Sequence, residues 1–289
     1  MKGFILNFRL KRSILDIVWP TKGYLTYALL CLLYVFLLSG GICYGKEVRI
    51  ISLAPNATEI IYAIGMGGSL VGVDRYSDYP DEARKVEKVG DFYSPDIEKI
   101  ISLRPDYILI NSDLDIDMER YLKDNRIEII KISPRTVEDL CYEIFRLGAI
   151  FGCETRAKNI VTDIRKRLDR IRENVSDRKK PKVFVELFND PLITGSFFIG
   201  DVIQVAGGDN IAWDVRNDAG IFSIERLIER NPDIIISVGF SEDLAFPTSI
   251  DAVRYNRIYR DIEPDIFLRP GPRIIDAIEH LNSILYEKN

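Results

Sequence analysis

The chain has 289 residues, 47% hydrophobic and 29% charged, with no low-complexity tract; that length suits one large or two small domains around a well-buried core. Its charge is uneven: residues 1–45 carry Lys2, Arg9, Lys11, Arg12 and Lys22 against Asp16, a net +4, so of the total of -5 residues 46–289 hold -9. An acidic body excludes nucleic-acid binding through a basic face, because displacing phosphate counterions needs clustered Lys and Arg.

No charged residue occurs from Tyr24 to Tyr44, and basic residues precede that stretch. This is the pattern of an N-terminus left in the cytoplasm. It predicts a signal peptide cleaved near Gly45 or an uncleaved membrane anchor, since about 20 apolar residues span a bilayer. Lipidation of Cys43 is a third route, although Ile42 stands where a small residue is expected. Each route exports residues 46–289.

Residues 48–53 (VRIISL) predict a buried strand. Asn56, with Glu59 three residues on, reads as a capping box, followed by Ile60, Ile61 and Ile64 at helical spacing until Gly65 stops the helix. Strands are expected at 70–73, 107–110 and 127–132, with a helix capped by Asp96 that carries Glu98 and a second helix at 137–151. Residues 154–174 place Ala157, Ile160, Val161, Ile164, Leu168 and Ile171 at spacings of three and four, one amphipathic helix about 30 Å long. Beyond Arg178, Lys179, Lys180 and Pro181 the style repeats: a strand at 183–187, a helix at 201–206, a helix capped by Ser223 that bears Glu225, a strand at 234–238 and a helix at 272–286. Alternating strands and helices predict an α/β fold with parallel sheets. The organisation expected is a signal peptide or anchor (1–45), an N-terminal lobe (46–152), a linking helix (153–180) and a C-terminal lobe (181–289). A ligand would occupy the cleft between the lobes.

One unit is written twice. IEKIISLRPDYILI (97–110) and IERLIERNPDIIIS (224–237) align without a gap, each with a glutamate second and Pro-Asp before an Ile-rich run.

Enzyme signatures are missing. There is no GxxxxGK[ST] loop and no GxSxG elbow. Gly65-Met-Gly-Gly68 ends a helix instead of opening one. The single histidine, His280, is expected on an exposed helix face, and with no CxxC a His- or Cys-rich metal site is excluded. Cys31 and Cys43 fall in the export segment. Cys141 and Cys153, roughly 18 Å apart along a mostly helical stretch, are too distant to bridge and are expected as unpaired thiols. No catalytic residue, metal or cofactor is expected; a two-lobed enzyme working with carboxylates alone is the remote alternative, and a sensory module that has lost its transporter is another.

The stretches RIISLAPNATEII (49–61), VGVDRYSDYP (71–80), VGDF (89–92), IEKIISLRPD (97–106), AGGDNI (206–211) and LRPGPRI (268–274) together resemble the helical-backbone substrate-binding proteins of ABC importers, most closely the cobalamin-binding ones. Ferric-siderophore and haem binders are close relatives. The resemblance implies two Rossmann-like lobes bridged by one long helix, a monomer, and a permease dimer with its ATPase as partner. It implies that Glu98 and Glu225 dock onto permease arginines. It places Tyr76, Phe92 and Asp265 in the ligand cleft, with Tyr76 and Phe92 offering flat apolar area and Asp265 an acceptor for ligand amides. Where cobalamin binders often carry further tryptophans, this chain has Asn111 and the region around Ala219; Trp213 is expected near the cleft. Arg75, Arg216 and Arg269 would instead suit an anionic siderophore or haem propionates.

Overall fold

The computed structural model describes residues 48–286 apart from 190, 218, 239–245 and 261. The export segment, with Cys31 and Cys43, therefore lies outside the described residues.

The N-terminal lobe runs β1 (Ile50–Ser52), α1 (Pro55–Ala63), β2 (Leu70–Val73), α2 (Ile97–Ser102), β3 (Tyr107–Ile110), α3 (Ile116–Asp124), β4 (Glu128–Lys131) and α4 (Val137–Ile150). Helix α5 (Glu154–Val175) follows, 22 residues long. The C-terminal lobe runs β5 (Lys182–Glu186), β6 (Phe188–Asn189), β7 (Leu192–Thr194), α6 (Phe198–Val205), β8 (Asp209–Asn210), β9 (Gly220–Ile221), α7 (Ile224–Arg230), β10 (Ile234–Ser237), α8 (Asp251–Arg254), β11 (Ile258–Tyr259), α9 (Pro264–Leu268) and α10 (Ile274–Tyr286).

Each lobe holds a parallel four-stranded sheet. The orders are β2-β1-β3-β4 and β11-β10-β5-β8. Numbered by first appearance within its lobe, each sheet has the order second, first, third, fourth. The two halves thus share one topology.

The doubled sequence unit is the helix and third strand of each lobe, and its parts do matching work. Asp96 and Ser223 cap α2 and α7 by accepting from Lys99 N–H (3.0 Å) and Arg226 N–H (3.3 Å). Arg104 and Asn231 end those helices in the left-handed region, at φ 48° and 44°. Proline then prevents continuation. The aspartate after it pins the first strand of its own lobe: Asp106 accepts from Arg49 N–H at 2.9 Å, and Asp233 from Lys182 N–H at 2.7 Å. Those basic residues return the contact, Arg49 donating to Leu103 O (2.6 Å) and Lys182 to Arg230 O (3.1 Å). Cations are favoured there because a helix C-terminus carries partial negative charge.

Helix α5 buries Ala157, Val161, Ile164, Leu168 and Ile171. They belong to one continuous core that includes Ile50, Ile60 and Ile144 of the first lobe and Val183, Ile203 and Leu281 of the second. Smaller clusters occupy the outer faces of the sheets.

Three expectations change. Asn56 and Glu59 form no capping box: Ala54 is the N-cap, without a side-chain cap, and Pro55 starts α1. Proline there removes an amide that needs no partner, which frees Glu59 for the tertiary contact described below. The helix expected at 201–206 begins earlier, at Phe198. Cys153 is disulfide-bonded, while Cys141 is buried and free. The spacing argument against a Cys141–Cys153 bridge holds, since Cys141 is free, but the expectation of an unpaired Cys153 does not. Burial pushes the Cys141 thiol up to about 11, so it is protonated and inert.

If the doubled unit is one device used twice, Asp106→Ala and Asp233→Ala should each cost about 1 kcal/mol. Denaturant unfolding is expected to show similar losses for the two variants.

Candidate functional site

Strand ends of both lobes converge on a cavity of about 380 Å³, bounded by Pro55, Asn56, Asn111, Ser133, Leu187 and Ile199, with Arg269 and Pro270 among its other walls. Asn111 directly follows β3, Ser133 lies just beyond β4, and Leu187 directly follows β5. Helix N-termini and strand C-termini of parallel sheets are where such ligand crevices form. Of the residues expected here from sequence, Asn111 and Arg269 line this cavity.

Tyr76 and Phe92 are not among its lining residues; they sit on two loops of the first lobe. Asp74, buried at the end of β2, accepts from Tyr76 N–H (3.2 Å) and from the Ser77 hydroxyl; burial raises its carboxyl above the ordinary range. The Asp74 contacts hold the Tyr76 loop while leaving the Tyr76 ring 58% exposed. Asp91 organises the next loop, accepting from Tyr93 N–H (3.0 Å) and Ser94 N–H (2.8 Å). Gly90 is required there: its φ is +90°, and a Cβ would lie 2.4 Å from Ser94 O. Arg75 ties the loops by pairing with Asp91 at 3.0 Å. Phe92 is only half exposed, because it packs against the outer core of its own lobe and edge-on to Tyr93.

Arg269 is fully engaged. It donates to Asp78 across the lobes (2.7 Å) and pairs with Asp265 on its own helix turn (2.8 Å). Burial would raise the Asp78 carboxyl, but the hydrogen bond and charge of Arg269 outweigh it and hold it below its ordinary range. Asp265 is thus an arginine partner before it is a ligand acceptor.

Beside Arg269 lies a buried two-pronged ion pair between the lobes. Glu59, 4% exposed on α1, accepts twice from Arg273 of the second lobe, at 2.9 and 2.6 Å. The Arg273 guanidinium also lies 3.7 Å over the Tyr79 ring. On another element, Asp201 of α6 accepts from Val137 N–H, at the start of α4, at 2.7 Å. Arg167 of α5 holds Asp276 (2.6 Å) and Glu279 of α10. These contacts tie the lobes to each other and the long helix to α10.

Trp213 is not among the residues lining that cavity. It lines a polar hollow of about 500 Å³ with Arg135, Lys180, Phe197, Asp201 and Asn210, and is 69% exposed. Arg230 holds it in place, its guanidinium 5.4 Å from the ring and bonded to Asp214. The hydrogen bond from Arg230 brings the Asp214 carboxyl down to about 2. Arg216, near the expected Ala219 region, is exposed with φ 40°. A further hollow, of about 860 Å³, lies between α1, α5 and α10. Among the described residues no group of His, Cys, Asp and Glu could hold a metal ion, and no helix is long and apolar enough to cross a membrane. His280 is exposed on α10.

Glu98 and Glu225 occupy the same place in the two lobes, exposed in the first turns of α2 and α7. Hydrogen bonds from its own backbone and from Ser223 hold the Glu225 carboxyl below its ordinary range.

Residues 50–263 match the Periplasmic binding protein family. The chain belongs to it. Family members capture ligands for transport and are not enzymes. A curated relative, an uncharacterised ABC transporter substrate-binding lipoprotein of Bacillus subtilis, is 32% identical over 82% of this chain and 80% of its own length. A vitamin B12-binding protein of Vibrio parahaemolyticus is 30% identical over 82% of this chain and 90% of its own. The solved periplasmic vitamin B12 binding protein BtuF of Vibrio cholerae superposes with a TM-score of 0.72 at 29% identity, over 82% of this chain and 96% of that one. A possible iron-binding protein of Staphylococcus epidermidis gives 0.72 at 29%, over 84% and 100%. The protein is therefore an extracytoplasmic substrate-binding component of an ABC transporter, with a permease as partner.

In sequence Glu59 is legible only as a capping residue, since its partner lies 214 positions away. Glu59→Gln should cost about 3 kcal/mol, the usual loss when one half of a buried pair is removed. In chemical unfolding, a Glu59→Met, Arg273→Met double variant is expected to recover most of that loss.

Proposed function

We propose that the protein captures cobalamin or a related corrinoid and delivers it to the permease. The observation that carries this reading is the state of the cleft arginines. Arg269 is held by Asp78 and Asp265, and Arg75 by Asp91. Arg269 has both ends of its fork on carboxylates, and Arg75 shares its Nε with Asp91, so both charges are already partnered before an anionic ligand arrives. What remains at the cavity is amide, hydroxyl and apolar surface: Asn56, Asn111, Ser112, Ser133, Leu187 and Ile199. Such a wall suits a ligand that is largely neutral and edged with amides. Tyr76 and Phe92 would supply flat area for the ring, with Asn111 and the open oxygen of Asp265 for its amide arms. The named B12-binding relatives support the same choice. Trp213 would reach only an arm of the ligand.

A second reading is an anionic iron chelate or haem. Arg135 and Lys180, in the hollow beside Trp213, favour it.

Delivery would use Glu98 and Glu225. Two exposed like charges on matching helices can grip both halves of a permease dimer at once. Export would run through residues 1–45, leaving a monomer that is free, anchored or lipidated.

Calorimetric titration with cyanocobalamin, beside a ferric siderophore panel and haemin, tests the ligand. One-to-one binding of cobalamin at about micromolar affinity, near 8 kcal/mol, is the expected result; binding of an iron chelate alone would favour the second reading. Reversing both glutamates, Glu98→Arg with Glu225→Arg, should leave that affinity unchanged and lower uptake in reconstituted vesicles by about tenfold or more. Unimpaired uptake would remove these residues from docking.

A further inference from the structure

The ion pairs that join the lobes also divide two cavities. Arg269 lines the cleft cavity, while Glu59 and Arg273 line the hollow of about 860 Å³ between α1, α5 and α10. The two share no lining residue. The hollow is a separate place on the molecule, and the function proposed for the cleft makes no use of it.

Its walls combine aromatic, aliphatic and acidic surface. Tyr62 and Tyr79 line it together with Ile160, Pro80 and Pro272. Its ionised groups are unequal: among the described residues they are Glu59, Glu82, Asp163 and Asp276 against Arg167 and Arg273. Both arginines are committed. Arg273 donates twice to Glu59, at 2.9 and 2.6 Å. Arg167 donates to Asp276 at 2.6 Å and twice to Glu279, which does not line the hollow. Asp163 is left with a contact to Arg167 at 3.8 Å, beyond hydrogen-bond reach. Glu82 is exposed and has no ion-pair partner among the described residues. Its charge bears on Tyr62, whose phenol is pushed up by burial first and by Glu82 second.

The aromatic walls suit the same sign of charge. Cations lie over ring faces because the quadrupole is negative there. Tyr79 already takes one in this way, with the Arg273 guanidinium 3.7 Å over its ring. The hollow is also open where a side chain would close it: a Cβ added at Gly68 meets nothing within 4 Å.

We infer that the hollow between α1, α5 and α10 is a second ligand site, for an organic cation with an apolar body, its charge answered by Glu82 and Asp163 and its body laid along Tyr62, Ile160 and the two prolines. Charge complementarity decides the class. An anion would add to an excess of carboxylates, and a neutral body would leave them unanswered.

The test is calorimetry of the exported protein with phenylbutylammonium, phenylbutyrate and phenylbutanol, which share a body and differ in charge. One-to-one binding of the ammonium, about tenfold tighter than that of the acid or the alcohol, is expected. Glu82→Gln with Asp163→Asn should weaken it about fivefold, as exposed charges do. Gly68→Phe fills open space and should abolish binding. Asp163→Arg, on the exposed face of α5, sets a competing cation there and should do the same; it decides the matter if thermal unfolding shows the filled variant misfolded. No binding of the ammonium, equal binding of the three probes, or ammonium binding that survives Asp163→Arg overturns the site, as does unchanged affinity in the neutralised pair. A probe displaced by cyanocobalamin lies in the cleft and overturns it too. Cyanocobalamin titration of the same variants keeps the cleft separate: its binding should be unchanged by them, and a protein that binds the ammonium but no cobalamin loses the corrinoid reading alone.

Discussion

The arrangement of the two lobes depends on a carboxylate removed from water. Glu59 is almost wholly buried on the first lobe and is answered from the second by Arg273. A buried charge is tolerated only when its partner is in place. Positions of the lobes that separate this pair leave both ions stranded. Arg269 beside it extends the constraint, joining Asp78 of one lobe to Asp265 of the other. Cleft geometry is thus set by electrostatics along one side, and by the shared core and α5 along another. Wide hinge motion would have to break these contacts as well as bend a helix through its own hydrogen bonds. A binding protein so built recognises its ligand with a cleft that is largely formed in advance, which lowers the ordering cost of capture.

The same pairs shape selectivity. Arginines at a cleft are usually read as anion receptors, and from sequence alone Arg75 and Arg269 invite that reading. For Arg269 the partners Asp78 and Asp265 change it, because a guanidinium whose fork already holds two carboxylates acts as scaffold, while Arg75 is paired with Asp91 through Nε alone. Charge here holds loops and lobes together: Arg269 joins the lobes, and the Arg75–Asp91 pair joins two loops of the first.

Much of the fold was legible because its signals are local. Asp96 and Ser223 announce helix starts, the spacing of Val161, Ile164, Leu168 and Ile171 fixes α5, and short Ile-rich runs mark the buried strands. The doubled unit exposed the kinship of the lobes before any sheet order was known. Signals that depend on distant partners were not legible. Glu59 has the sequence appearance of a capping residue, and only tertiary contact with Arg273 gives it another role. The ribbon β6-β7-β9 has strands of two and three residues, too short for period-two alternation to stand out. Trp213 could be placed near the cleft but not beside Arg135 and Lys180, because that hollow is assembled from both lobes. The distance along the chain from Cys153 to Cys141 excludes that one partner and carries no sign of another.

The sheet of the first lobe is complete by Lys131 and contains no strand from the second. Its counterion Arg273, however, comes 214 residues after Glu59. As an exported chain emerges N-terminus first, the leading lobe can condense on its own local contacts. It must then wait with an unanswered carboxylate at its edge until α10 arrives. The segment that brings Arg273 therefore completes the contact between the lobes, and a chain truncated before Arg273 would carry a first lobe whose Glu59 lacks its partner.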